Sequence, residues 1–444
     1  MTYYMVLIGA QHGDEGKGKM ISVFALLADM VARWGGGPNA GHTLVTGGEK
    51  YALHLLPSGI IYAQTKNVMG MGMEIDPLVL NDELLRLRQK GFDPELYIAA
   101  QAHVITDWQK RFDADSEARL GEAKIGTTGR GVGPCAEAKA NRKQAIRIED
   151  LLSGGLEKKC IDIVFSLAPR IVETNPDFRL FLDASLRQIL NPQGTLKKAL
   201  ENYALMQAAL LAQGGELIRD YIFDDITKIV RDPKNKFVLC EGAQGILLDP
   251  DHGSFPYNTS TKPDVSGCIS GLGLPYSWIG DVMAVFKAYH TRVGGGPFDT
   301  EQDNAIGAEM RERGKEFGTT TGRPRRCGWF DLPDEKKVVE RMGVDWASIT
   351  KLDVLDGMKN VKVCVAKENG KVKYTTLPGW QKDTTQCREY RQLPKNARNY
   401  VEYLGKELGV PIAAVSIGPE DDARIFTPKF IRYMKTHNIN LARR

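Results

Sequence analysis

Short apolar, β-prone runs recur along the chain and stop where glycine or charge begins: Tyr3 to Ile8, Asn67 to Met71, Leu96 to Ala100, Phe237 to Leu239, Ala284 to Ala288, Ser348 to Lys351 and Ile412 to Ser416. That pattern predicts an α/β fold with a large, mostly parallel sheet and loops at its carboxyl edge. In open α/β sheets ligands bind beyond the carboxyl ends of the strands, so the residues just after each run are the ones to examine. The first run passes straight into Gly9-Ala-Gln-His-Gly-Asp-Glu-Gly-Lys-Gly-Lys19 and then a helical pattern from Ile21 to Ala32, giving strand, glycine loop, helix. From about residue 146 to 231 glycine thins out and Leu196, Ala199, Leu200, Tyr203, Met206 and Leu210 recur at helical spacing, which predicts a mostly helical insert. Ala397, Tyr400, Val401, Leu404 and Leu408 form a later stripe closed by Gly409 and Pro411, as at a helix end. Two β-prone runs between Val361 and Tyr374 flank Asn369-Gly370, a hairpin signal because both residues tolerate positive φ. Without repeats or a Pro/Ser-rich linker, residues 1–444 read as one catalytic domain with excursions.

Composition narrows the class. Hydrophobic residues at 42% and charged residues at 26% are globular values, and 59 Lys+Arg against 55 Asp+Glu leave +4, too little for a general polyanion-binding surface. No nucleic-acid partner is expected. The first apolar run is short and lacks a basic leader, and no stretch of 18 apolar residues occurs, so neither export nor a membrane is expected. Seven scattered cysteines without a C-x-x-C pair suggest neither a disulfide framework nor a zinc site, and fit the cytoplasm. The 46 glycines cluster in a few loops, which directs attention there.

Gly13 to Met20 reads G-D-E-G-K-G-K-M, a phosphate loop with methionine where a serine or threonine would hold magnesium. Glycines there let backbone N–H groups face phosphate oxygens, the next helix adds its positive end, and Lys17 and Lys19 add charge. A tight turn with solvated lysines is the bland reading. Asp14 and Glu15 would repel a phosphate unless they bind a metal or a proton, which makes Asp14 a candidate magnesium ligand or general base. A second loop, Gly35-Gly-Gly-Pro-Asn-Ala-Gly-His42-Thr43, follows a β-prone run and presents one histidine, either a solvated polar residue or an acid/base group.

The pairing of G-D-E-G-K-G-K with N-A-G-H-T resembles the adenylosuccinate synthetase family, the GTP-dependent enzymes of AMP synthesis. Six further segments resemble family motifs in the same order: Ile125 to Pro134, Glu241 to Gly245, Asp251 to Tyr257, Thr291 to Gly294, Gly318 to Arg323 and Thr350 to Asp353. The helical insert and the residues after Val361 match less distinctively. The resemblance implies a phosphate-loop NTPase-like fold and a ligase reaction in which GTP phosphorylates oxygen 6 of IMP and the amine of L-aspartate displaces the phosphate. It implies Asp14, His42 and Gln244 as catalytic residues, with Asp14 taking the proton from nitrogen 1 and His42 donating to the phosphoryl groups.

It further implies one magnesium ion per subunit, held by Asp14 and the Gly41 carbonyl, so that Met20 need not be a ligand. For IMP it points to Asp14, Glu15, Gly16, Lys17, Asn39, Ala40, Gly41, His42, Thr128, Arg142, Gln244, Thr259 and Arg323, with Arg142 reaching across a homodimer interface. For GTP it points to the loop from Gly13 to Lys19 including Gly18, to Gly41, His42, Thr43 and Arg325, to Lys351, Leu352 and Asp353, and to Ser416, Ile417 and Gly418.

Asp353 can accept both donors of guanine's edge, while the stem of Lys351 lies along the base and backbone N–H groups of residues 416–418 face oxygen 6. The alternative is that Asp353 caps a turn before Gly357. Thr319, Thr320, Thr321, Gly322, Arg323 and Arg325 suit the carboxylates of aspartate through hydroxyls and guanidinium forks. Pro324 interrupts the arginine run, and Ile417 replaces a threonine common in relatives. Asp249, Asp251 and His252 are read as loop structure. A phage-type relative that accepts dGMP replaces the first-loop aspartate, which is present here as Asp14. A nucleotide-binding switch without turnover is disfavoured by intact Asp14, His42 and Gln244.

Overall fold

The computed structural model describes residues 2–121, 124–181, 192–318 and 322–441. Strands β1 (Tyr3–Gly9), β2 (Met30–Gly36), β3 (Lys66–Ile75), β4 (Leu96–Ala99), β5 (His103–Val104), β6 (Ile222–Phe223), β7 (Phe237–Glu241), β8 (Ile279–Lys287), β9 (Trp346–Thr350), β10 (Ile412–Ser416) and β11 (Arg424–Phe426) form one 11-stranded sheet. Its order is β11-β10-β9-β8-β1-β7-β2-β3-β4-β6, with β5 beside β3. All these pairings are parallel except β10 with β11. β1, β2 and β7 are buried along their whole length, because helices cover both faces of a parallel sheet and leave no solvated side to demand alternation. Each predicted run is a strand, and the loops that follow β1, β2, β7, β8, β9 and β10 open on the same carboxyl edge.

The helical expectation for Ile21 to Ala32 is corrected. Helix α1 spans Lys17–Ala25, and β2 has begun by Met30. Gly16, at φ 82°, starts α1 four residues earlier than the apolar pattern does. Asp29 ends it: its carboxylate accepts from Phe237 N at 2.9 Å and its own N donates to Phe237 O, which ties the chain to β7. Every residue of α1 is buried, so no polar face marked its limits.

The expected insert contains helices at Leu156–Ser166, Ala168–Thr174 and Pro192–Ile218. Leu200, Tyr203, Ala204 and Ala208 face inward, whereas Met206 and Leu210 of the predicted stripe are exposed. The helix at Lys395–Leu408 ends on Gly409 at φ 75°, as its sequence predicts. The hairpin pairs Asn360–Glu368 with Lys371–Pro378 about Asn369 and Gly370, both at positive φ. Phe330–Asp331 adds to it in parallel, a long-range pairing that two residues cannot announce. Among the described residues no helix is long and apolar enough to cross a membrane, and all seven cysteines are buried thiols.

Candidate active site

Three loops converge at the carboxyl edge: 10–16 after β1, 37–41 after β2 and 242–245 after β7. Gly13 has φ 86°, and a methyl group there would lie 2.9 Å from Gln244 Cα, so a side chain would push the first and third loops apart. Gln244, itself at φ 55°, donates from Nε2 to Asn39 Oδ1 at 3.2 Å and accepts from Thr261 at 3.3 Å. Thr259, beside it, is anchored by its N–H on Leu248 O. Asn39 also accepts from Gly37 N, and Ala40 O receives His54 Nδ1 at 2.7 Å. Gly41 is exposed, Thr43 is half-buried, and Gly18 packs against the Thr43 carbonyl and His42.

Within the first loop the two carboxylates have different jobs. Glu15 is buried and structural, accepting from Gln11 N at 2.9 Å, Gly13 N at 2.7 Å and Lys17 Nζ at 2.9 Å. Lys17 also reaches Gly13 O. The expected repulsion between Glu15 and a phosphate is therefore answered within the loop, by Lys17 and two backbone donors. Lys19 points away from the loop: its ammonium binds Ser416 Oγ, Gly418 O and Ala423 O, tying α1 to the loop after β10. Burial brings its pKa down to about 8, against the pull of Asp353 and Asp421.

The Asp14 carboxylate is 7% exposed and has Lys287 Nζ at 3.2 Å and Arg325 Nε at 3.3 Å from Oδ2, which also accepts from Thr291. Burial pushes its carboxyl up, but Lys287, Arg325 and Thr291 together hold it well below the usual carboxylate range. Oδ1 is buried with no hydrogen-bond partner among the described residues. Lys287 and Arg325 also meet Glu316, at 3.1 and 2.6 Å. Sequence reading identified neither Lys287 nor Glu316 as site residues, because each sits in a stretch whose motif signal is carried by its neighbours.

His42 Nδ1 is bound by the carboxylate of Glu241, the last residue of β7, which also accepts from Ser58 N at 2.7 Å and Ser58 Oγ at 2.9 Å. Burial lowers the imidazole pKa and Glu241 only partly restores it; since the carboxylate can only accept, Nδ1 donates to it. Glu241 opens one of the six family-like segments, Glu241 to Gly245. A buried acid ending an apolar strand was the available signal.

On the far side, Lys351 at φ 56° precedes a turn at Leu352–Leu355 in which Leu352 is buried. Its ammonium binds Gly314 O at 2.8 Å and Glu316 at 2.7 Å. Asp353 has a buried Oδ1 with no hydrogen-bond partner among the described residues, and burial raises its pKa. Asp356, which follows the turn, receives Trp380 Nε1 and Thr384 N and so ties it to the segment at residues 380–384. Ile417 is a core residue whose N–H donates to Ala423 O at 3.0 Å, so the expectation that this N–H faces the base is corrected. The antiparallel return of β11 consumes it.

Thr128 is half-buried between Gly126 and Gly129, both at positive φ. Gly322 and Arg323 are exposed, while Thr319, Thr320 and Thr321 lie outside the described residues. Arg142 caps helix α2 (Val132–Asn141) at φ 71°, is exposed, and its guanidinium has no partner among the described residues. Asp249 accepts from Asp251 N and His252 N, which makes it a loop organiser.

A family model described as adenylosuccinate synthetase matches residues 6–425. The adenylosuccinate synthetase of Halothermothrix orenii is 39% identical over 436 residues, covering 93% of this chain and 96% of its own. That of Crocosphaera subtropica is 41% identical over 443 residues, with 95% and 94% covered. The fully ligated adenylosuccinate synthetase of Plasmodium falciparum superposes with a TM-score of 0.81 at 34% identity, covering 95% of this chain and 99% of that one. A cyanophage S-2L succinoaminodeoxyadenylate synthetase reaches 0.60 at 19% identity over 99% of both chains, a likeness of fold alone.

Proposed function

The chain belongs to the adenylosuccinate synthetase family, and on that premise we propose how its own residues perform the family's reaction. That reaction is the GTP-dependent ligation of L-aspartate to IMP through 6-phosphoryl-IMP, giving adenylosuccinate, GDP and phosphate. The observation that carries the assignment of roles is the Asp14 carboxylate, buried where the three loops meet and with one oxygen unpartnered among the described residues.

Asp14 takes the proton from nitrogen 1 of IMP, which leaves negative charge on oxygen 6 to attack the γ-phosphorus. Because Lys287 and Arg325 hold it as a weak base in the free site, the substrate must displace part of that clamp before the proton moves. Gln244, positioned by Asn39 and Thr261, hydrogen-bonds the base. His42, with Nδ1 fixed by Glu241, presents Nε2 to the phosphoryl groups. Their negative charge raises its affinity for a proton, and it donates as charge builds on the transferring oxygens. Backbone donors of residues 14–18 and Lys17 cradle phosphates, with the α1 N-terminus behind them, while the Gly13 N–H is held by Glu15.

The free Asp14 Oδ1 and the exposed Gly41 carbonyl suit magnesium, a hard cation that takes oxygen ligands, and these two residues would hold it. When bound, it offsets charge on the GTP phosphates. Asp353 and the Lys351 stem read guanine, with Leu352 buried beneath and Ser416 and Gly418 beside them. Thr128, Thr259 and Arg323 bind IMP, and residues 319–323 with Arg325 bind aspartate. Arg142, exposed and without a partner among the described residues, serves the neighbouring site of a homodimer. The chain acts as one catalytic domain in the cytoplasm.

The test is adenylosuccinate formation with IMP, GTP and aspartate, each omitted in turn. Product should require all three. Turnover that ignores aspartate would sink the reading.

A further inference from the structure

We propose that Glu316 is a positioning residue for phosphoryl transfer: the fixed counter-charge that holds Lys287 and Arg325 so that Asp14 can leave them for substrate. This rests on the role given to Asp14 above.

Glu316 is fully buried and lies one residue beyond a short helix cap, outside every phosphate, base or metal motif. Its Oε1 receives Lys287 Nζ at 3.1 Å, Lys351 Nζ at 2.7 Å and the Tyr289 hydroxyl, and its Oε2 receives Arg325 at 2.6 Å. Two carboxylates, Asp14 and Glu316, thus share two cations, Lys287 from β8 and Arg325 from the segment after Gly322, while Lys351 from the turn after β9 meets Glu316 alone. Lys287 and Arg325 touch both carboxylates. Burial would raise the Glu316 carboxyl, but Lys287 and Lys351 bring it down to about 2, so its charge is permanent at working pH.

The two carboxylates differ in what they must do. Asp14 has an oxygen without a partner among the described residues and has to exchange partners during the reaction, whereas both oxygens of Glu316 are partnered. A buried cation cannot be left without a counter-charge, because its desolvation is then uncompensated. When Asp14 turns to substrate, Glu316 alone keeps Lys287 and Arg325 neutralised and in place. Without its charge, both cations would close on Asp14 and hold it away from nitrogen 1 of IMP.

The test compares the parent with Glu316→Gln, which keeps shape and removes charge. IMP affinity measured by calorimetry should weaken at least tenfold and kcat should fall at least a hundredfold, with IMP affinity falling more than GTP affinity, because Lys351 keeps its bond to Gly314 O. Adding Lys287→Met, which removes one of the two cations competing for Asp14, should recover at least tenfold in both IMP affinity and kcat. A merely structural carboxylate predicts the reverse, since the second core substitution would compound the first. IMP binding by Glu316→Gln within threefold of the parent, or no recovery in the double variant, would overturn the proposal. Should Glu316→Gln fail to fold, Lys287→Met alone decides: the clamp predicts IMP bound at least as tightly as by the parent, and tenfold weaker binding contradicts it. If the parent itself binds IMP and GTP but forms no adenylosuccinate, the failure belongs to the reaction assigned above and not to Glu316.

Discussion

At the scale of the residue, the site assigns unlike work to like groups. Glu15 and Asp14 are adjacent carboxylates, yet one is saturated by its own loop and the other keeps an open oxygen. Asp14→Asn should therefore leave the fold intact and slow turnover by about 10² to 10⁴, the usual contribution of a general base. Steady-state rates alongside thermal melts check it, and activity within tenfold of the parent would refute the role. Asp353 and Asp356 form a second pair. Sequence alone left open whether Asp353 capped a turn; the side chain of Asp356 is taken up by Trp380 and Thr384, whereas Asp353 keeps a buried Oδ1 without a hydrogen-bond partner among the described residues, which supports the guanine role proposed for it. A buried acceptor built for two donors rejects a ligand lacking them by ~10⁴. Asp353→Asn should accordingly collapse GTP use and favour xanthosine triphosphate, whose carbonyl replaces the amine. An unchanged preference between the two nucleotides would contradict it.

At the scale of the element, what was legible followed from burial. Strands buried on both faces read as unbroken apolar runs, and the glycines after them marked the loops, so the sheet and its active edge could be read directly. α1 misled because a helix buried all round has no polar stripe. Glu241 and Glu316 stayed hidden for a related reason: their charge is explained only by partners far away in sequence, His42 and Lys287 among them. β3 carries a further buried acid, Glu74, whose backbone carbonyl lies beneath Gly37, where a methyl group would approach it to 2.9 Å. Burial raises its pKa to about 8, with Lys139 a weak opposing influence. The sign follows from where the proton sits. In the folded chain Glu74 holds its proton up to about pH 8, whereas unfolded it would release it near the ordinary value of 4.5. Its contribution is full below pH 4.5 and is lost as pH rises to about 8, by a few kcal/mol at about 1.4 kcal/mol per unit. Glu74→Gln should raise the melting temperature at pH 9 much more than at pH 5. An equal shift at both would show that Glu74 is not protonated in the fold.

At the scale of the whole molecule, the architecture brings the loops after β1, β2 and β7 together on one edge and leaves Arg142 pointing outward. If Arg142 completes a neighbour's site, Arg142→Leu and Asp14→Asn proteins, each nearly inactive, should complement after subunit exchange. Statistical mixing gives half hybrid dimers with one good site each, about a quarter of parental activity for a two-fold dimer. Exchange without recovery would confine Arg142 to its own subunit. The central claim, that oxygen 6 of IMP is phosphorylated and then displaced by aspartate, is tested most directly by following that oxygen. With IMP labelled by oxygen-18 at position 6, the phosphate released on adenylosuccinate formation should carry one labelled atom per molecule, since the oxygen leaves with the phosphoryl group. Unlabelled phosphate accompanying stoichiometric adenylosuccinate would contradict the account.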